Sequence, residues 1–380
     1  MDKFIPVNEP DIPNLSRQYI NEALDTGWIS SAGKFLEQFE KEFAKYIGTK
    51  YAVAVTSGTA ALHLALLALK IGPGDEVIVP AFTMGATWLT VIYVGAKPVF
   101  VDCEPETYNI DPQLIEAKIT KRTKALMPVH IYGHPAEMDQ IRKVARKYKL
   151  HVIEDAAEAH GAEYKNKKCG AIGDIGCFSF YGNKIVTCGE GGMLTTNNKK
   201  LADRARSYKN FCFSPKKRFI HEDVGFNYRM TNMQAAFGLG SLQSIDKYLK
   251  HKAHMAKLYE KYLHNVPGIV LPKTKKNATN VYWMYAILVE ARQFGIDKDE
   301  LRARLKDKGI DTRDFFYPPE QQPVLKKYLR KADKFPNTGY IAQRGLYLPS
   351  GLTIADKQIK TVCDAIISIH NKSNKKHGSN

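Results

Sequence analysis

The sequence predicts an α/β fold built on a mostly parallel sheet. Three observations carry this: near-continuous apolar runs recur through the first two thirds of the chain, helical patterns separate them, and Gly, Pro and Asp mark the switches. AVAV (Ala52–Val55) reads as a buried strand, TAALHLALLAL (Thr59–Leu69) as a helix, and GPGD (Gly72–Asp75) as its stop. EVIVP (Glu76–Pro80), PVFVD (Pro98–Asp102), ALMPVHIY (Ala125–Tyr132) and HVIED (His151–Asp155) read as four further strands. IDPQLIEAKI (Ile110–Ile119) and AEMDQIRKVARKY (Ala136–Tyr148) read as helices between them, the first with Asp111 as N-cap and Pro112 as first helical residue.

From Gln243 the texture changes. A basic amphipathic stretch, Ser244 to His264, precedes a strand at YWMYAILVE (Tyr282–Glu290) and a helix at DKDELRARLKDKG (Asp297–Gly309). The expected division is a large α/β domain over 1–243, with roughly its first 30 residues packing on the other unit, and a smaller α+β domain over 244–372. The polar tail 373–380 is expected to be disordered.

Composition bounds the function. The 380 residues are 44% hydrophobic and 25% charged, which is globular and excludes a disordered chain or a fibrous repeat. Lys and Arg number 56 against 39 Asp and Glu, a net charge of +17. The basic residues are dispersed in separate stretches, with no nucleic-acid module, so a solvated surface or attraction of anionic ligands explains them better than nucleic acid. No run of 18 apolar residues occurs, so no membrane span is expected. Six Cys without metal-like spacing predict scattered thiols, no metal and a cytoplasmic location.

In such a sheet ligands bind beyond the carboxyl ends of the strands. Thr56-Ser57-Gly58-Thr59 follows one strand and opens a helix, which suits a phosphate. A plain turn with Ser57 or Thr59 as N-cap explains it as well. Asp155 and Glu158 follow the strand HVIED, where acids are unfavourable unless used or paired. Asp155 could hold a protonated ring nitrogen, or Glu158 could be a helix-start acid. Lys184 stands in FSFYGNKIVTCGEGGM, outside any basic run. Apolar surroundings would make its amine nucleophilic, though an ordinary turn lysine is the plainer reading. A phosphate cup, a ring-holding acid and an isolated lysine in this order describe together a pyridoxal 5'-phosphate site.

At these residues the sequence resembles the DegT/DnrJ/EryC1/StrS family of sugar aminotransferases. The blocks VTSGTAALHLALLAL, GDEVIVPAFT, GAKPVFVDCEPETYNID, EDAAEAHGA, FSFYGNKIVTCGEGGM and GFNYRMTNMQAAFGLGSLQ carry the resemblance over nearly the whole chain. It implies the aspartate-aminotransferase-like fold type I, with a sheet of the seven-stranded kind. It implies that Lys184 bonds covalently to the cofactor aldehyde and shuttles a proton, that Asp155 holds the pyridinium nitrogen, and that Glu158 lies by the ring hydroxyl. Ser57, Gly58, Thr59 and Ser179 would hold the phosphate. Asn227 would reach the phosphate of a neighbouring subunit's cofactor with help from Arg229, which implies a homodimer with composite sites. Where the family commonly has an aromatic residue stacked on the ring, this chain has Met84, with Trp88 nearby. His134, His160, Arg313 and Tyr317 are further pocket candidates. GNK and HIYGHPAEMDQI are most similar to members that aminate GDP-4-keto-6-deoxymannose with L-glutamate, releasing 2-oxoglutarate. A UDP- or dTDP-4-keto-6-deoxyglucose acceptor is the close alternative. A non-catalytic regulator on the same fold would be expected to lose Lys184 or Asp155, and both are present.

Overall fold

Period-two burial builds the main sheet. Val53, Val55, Val77, Val79, Ile153 and Ile175 point into one apolar layer with the helices Gly58–Ala68 and Lys199–Tyr208. Ala54, Phe178 and Met193 point the other way, as do Ile78, Val99, Leu126 and Val152. The computed structural model describes residues 4–217 and 219–377, with side chains as far as Asn374. Its strands, in chain order, are β1 Tyr51–Val55, β2 Glu76–Pro80, β3 Lys97–Val101, β4 Thr123–Leu126, β5 His151–Asp155, β6 Glu163–Tyr164, β7 Lys167–Lys168, β8 Ile175–Ser179, β9 Gly192–Thr196, β10 Ile269–Val270, β11 Ala278–Thr279, β12 Tyr285–Val289, β13 Arg313–Asp314 and β14 Gly345–Leu348.

The large sheet has seven strands in the order β1-β9-β8-β5-β4-β2-β3. Only β9 runs against its neighbours; the other pairings are parallel. In the register of β5 on β8, Asp155 faces Cys177, two residues before Ser179. The helix Lys34–Ile47 lays Phe35, Phe39, Phe43 and Ile47 on one stripe against this sheet. It ends at Gly48 in the left-handed region (φ 86°).

A second, antiparallel sheet has the order β10-β12-β14-β13. Tyr285, Ile287 and Val289 face the helices Ile245–Leu263 and Asp356–His377. Ala286 and Leu288 face the other way, into the aromatic cluster that includes Tyr132, Phe315 and Tyr347. The N-terminal strap joins this sheet's layer: Ile5 exchanges backbone hydrogen bonds with Gly309 and Asp311, and Val7 accepts one from Ser350.

Three expectations need correction, and one strand is new. The strand read over Ala125–Tyr132 stops at Leu126, because Pro128 has no N–H for the ladder and Ile131–Gly133 forms a 3-10 turn with Tyr132 at φ 53°. The helix read over Ile110–Ile119 is one α-turn, Pro112–Ile115, continued as a 3-10 turn. The Gly-rich stretch after Lys184 leads straight into β9, which sequence reading did not anticipate. The tail expected to be disordered is helical as far as His377, and 378–380 lie outside the described residues.

Candidate active site

The carboxyl ends of β1, β5 and β8 meet the start of β9, and four sequence segments converge there. Lys184 is buried on the loop between β8 and β9. That loop is pinned by backbone bonds from Phe180 to Gly191, from Cys188 to Phe180 and from Lys184 to Tyr181. The Lys184 Nζ lies 3.6 Å from the centroid of the Trp283 ring, a cation–π contact. Burial lowers the pKa of this ammonium, while the charges of Glu158 and Asp155 oppose the shift. The amine is therefore enclosed on an indole face, within Coulombic reach of two carboxyl groups, unlike a solvated turn lysine.

Asp155 ends β5 and is buried. Its Oδ2 accepts a 2.8 Å hydrogen bond from the Thr87 hydroxyl, and its Oδ1 one of 3.2 Å from the Ala157 N–H. Burial raises its pKa against those bonds and the Lys184 charge. Glu158 lies in a turn, so it is not a helix-start acid. Its Oε2 accepts 2.7 Å from the Tyr132 N–H, and burial raises its pKa as well. Tyr132, whose N–H makes this bond, has a left-handed φ of 53°.

The neighbouring Glu154 points to the opposite face and has a structural task. It accepts from the N–H groups of Gly170, Ile172 and Gly173, and its Oε2 lies 3.0 Å from His130 Nε2.

The cup after β1 is both capped and tight. Ser57 Oγ accepts from the Ala60 N–H at 3.1 Å, so the N-cap reading holds for Ser57. A Cβ on Gly58 would stand 2.7 Å from the Ser179 Cβ, and one on Gly192 2.3 Å from the Ser57 carbonyl oxygen. Gly58, Thr59 and Ser179 are thereby brought to one place, beside the positive end of the helix Gly58–Ala68.

Met84 is 57% exposed, at the start of the helix Gly85–Tyr93 that also carries Thr87. Trp88, by contrast, is buried in the core beneath that helix. Asn227 is exposed. The Arg229 guanidinium donates to Asn210 Oδ1 at 2.9 Å. Their strand-like segment lies along the cup, since the Thr56 N–H donates to the Tyr228 carbonyl. Arg313 bonds Asp311, and its backbone pairs with Tyr347. Tyr317 is exposed, past Phe315 and Phe316, which pack on Tyr132.

Both histidines read as pocket candidates lie inside the protein. His134 is buried, with Nδ1 2.8 Å from the Pro135 carbonyl and Nε2 accepting from the Lys275 N–H, so both nitrogens tie the chain together. His160 is enclosed by Phe43, Phe178 and Phe180. Neither of its nitrogens makes a well-formed hydrogen bond, though the Ser179 backbone is near. Burial and the Lys184 charge push its pKa down to about 3. Burial likewise pushes the His134 pKa down, to about 4.

Residues 10–367 match the DegT/DnrJ/EryC1/StrS aminotransferase family. The GDP-perosamine synthase of Escherichia coli O157:H7 is 43% identical over 364 residues, 96% of this chain and 98% of that protein. That of Caulobacter vibrioides is 45% identical over 356 residues, covering 93% and 95%. Among solved structures, S. venezuelae DesV in complex with a ketimine intermediate superimposes with a TM-score of 0.88 at 37% identity, covering 96% of this chain and 99% of that one. The chain belongs to the DegT/DnrJ/EryC1/StrS aminotransferase family. Its fold is the aspartate-aminotransferase-like fold that the sequence blocks implied.

The residues fit the cofactor those blocks implied. A buried amine is available for an aldehyde, a buried carboxylate for a ring N–H, and a helix N-terminus without room for side chains for a phosphate. Sequence reading missed Thr87, Trp283 and Lys252. Lys252 sits in the basic amphipathic stretch, yet it is buried and donates to the carbonyls of Trp283 and Ser350. A charge count could not separate it from its exposed neighbours. No helix among the described residues is long and apolar enough to cross a membrane.

Proposed function

We propose that the protein is a pyridoxal 5'-phosphate-dependent transaminase. It moves the amino group of L-glutamate to the C4 ketone of GDP-4-keto-6-deoxy-D-mannose, giving GDP-perosamine and 2-oxoglutarate. The observation that carries this is the enclosed Lys184, its ammonium on the Trp283 ring and within Coulombic reach of Asp155 and Glu158. The full-length similarity to two perosamine synthases supports the choice of acceptor.

When bound, pyridoxal phosphate supplies an electron sink that carries the amino group from donor to acceptor. Lys184 would hold the cofactor through its amine and would carry the proton that the transfer requires. Asp155 would pair with the ring nitrogen, with Thr87 fixing the carboxylate. Glu158 would lie by the ring hydroxyl. Ser57, Gly58, Thr59 and Ser179 would receive the phosphate, and Met84 would cover the ring. Asn227 and Arg229 would serve a second subunit's cofactor in a homodimer, a reading supported by the exposed Asn227 on a segment beside the cup. Arg313 and Tyr317 face the sugar nucleotide, whose diphosphate suits the net charge of +17. Six buried, unpaired cysteines agree with a cytosolic location.

The test is turnover of GDP-4-keto-6-deoxymannose, and separately of its dTDP- and UDP-4-keto-6-deoxyglucose counterparts, with glutamate. Mass spectrometry is expected to show the amino sugar from the GDP substrate. Conversion of only a dTDP or UDP sugar would overturn the nucleotide, and conversion of none would overturn the reading.

A further inference from the structure

Trp283 meets the Lys184 segment in two ways. The face of its ring lies 3.6 Å from Nζ. Its indole N–H donates to the carbonyl of Asn183, the residue just before Lys184, at 2.8 Å. The same carbonyl also accepts from the Asn8 side chain at 3.3 Å. Trp283 is itself held from behind, since its own carbonyl accepts from the buried Lys252 ammonium at 2.9 Å. Lys252 lies on the helix Ile245–Leu263, so the chain of contacts runs from the second sheet's layer to the amine.

An amine that alternates between a covalent bond and a free state needs a seat when free. A carboxylate against Nζ would hold the ammonium strongly and keep its proton. An indole face attracts the cation without taking a proton and without a fixed direction, so Nζ keeps its freedom to turn. The N–H bond to Asn183 meanwhile fixes the backbone from which the lysine swings.

We propose that Trp283 is a positioning residue for Lys184, seating the free ammonium on its ring and anchoring the preceding peptide through its indole N–H. This rests on the reading that Lys184 is the cofactor lysine. Burial lowers the baseline titration of Lys184, Glu158 on the turn after β5 and Asp155 at the end of β5 oppose that shift, and His160 on the same turn also faces the amine. A comparison of variants at Trp283 isolates the ring.

The experiment uses cofactor-free protein and follows dinitrophenylation of Lys184 by 1-fluoro-2,4-dinitrobenzene against pH, with the modified peptide quantified by mass spectrometry. In Trp283→Leu the midpoint is expected about one pH unit lower than in wild type, because a desolvated cation–π contact no longer favours the ammonium. Trp283→Phe keeps a ring face and should lie between the two. A structural role alone would lower the melting temperature of both variants and leave the midpoint in place, and that result overturns the proposal. Should the Leu variant not fold, indole emission decides. Wild type should show a pH step at the Lys184 midpoint that Lys184→Met abolishes; no step, or a step that survives in Lys184→Met, overturns it. Borohydride reduction with pyridoxal phosphate separates the two readings. A shifted midpoint without cofactor attachment at Lys184 would sink the cofactor assignment and leave the contact standing.

Discussion

The Thr87 hydroxyl donates a 2.8 Å hydrogen bond to the Asp155 carboxylate across two elements, the helix Gly85–Tyr93 and the end of β5. Burial pushes the Asp155 pKa up, and this bond is the foremost influence pulling it back toward the charged form. The carboxylate must be charged to hold a pyridinium proton. In the proposed transaminase the hydroxyl would act on the cofactor through Asp155.

Thr87→Val should raise the dissociation constant of pyridoxal phosphate about tenfold, the effect of roughly 1–3 kcal/mol for an unsatisfied buried acceptor. Thr87→Ser should restore it. Equilibrium titration by absorbance checks this, and equal affinities in wild type and the Val variant would contradict it.

Gly58→Ala forces a methyl group to 2.7 Å from the Ser179 Cβ, between a helix start and a strand end that cannot easily part. The overpacking should cost about 1–3 kcal/mol. A lower melting temperature and weaker cofactor binding are expected together. Thr59→Ala, with no such clash, should affect binding more than stability.

Glu154→Ala leaves the N–H groups of Gly170, Ile172 and Gly173 without their acceptor, inside the protein. At about 1–3 kcal/mol for each unsatisfied group, the loss should be at least roughly 3 kcal/mol. Urea unfolding measures it. A loss below about 1 kcal/mol would mean that these donors find other partners.

Stability should fall as the solution is acidified from pH 6.5 toward 4. Burial pushes the His134 pKa down to about 4 from the ordinary 6.5, so the unfolded chain takes up the proton first. The His134 contribution is complete above pH 6.5 and is lost as pH falls through that window, by up to roughly 3 kcal/mol. His160 acts in the same direction and over a wider range. Glu158, raised by burial, opposes both, because its neutral form is the one the fold favours. His134→Gln removes the first contribution and should flatten the profile between pH 7 and 4 in urea unfolding. Parallel profiles would contradict the assignment.

The sheet was legible because apolar runs bounded by Gly and Pro mark strands, and six ordered blocks fixed the family. Lys184 and Asp155 were legible because each stands where solvated charge has no business, after an apolar strand or within a Gly-rich loop. What stayed hidden was partnership. A sequence does not reveal that a backbone N–H 141 residues away donates to His134, or that three phenylalanine rings surround His160. Glu154 and Asp155 are adjacent and equally acidic, yet alternation along β5 sends one to the structural network and the other to the site. Trp283 and Lys252 depend on a contact between the two sheets' layers, which no local pattern encodes.

The most direct test is chemical. Purified protein is incubated with pyridoxal phosphate, reduced with sodium borohydride and digested, and the labelled peptide is sequenced. The account predicts one pyridoxyl group per chain, on Lys184, absent from Lys184→Ala although that variant still binds pyridoxamine phosphate. A label on another lysine, or none on a folded protein, would contradict it.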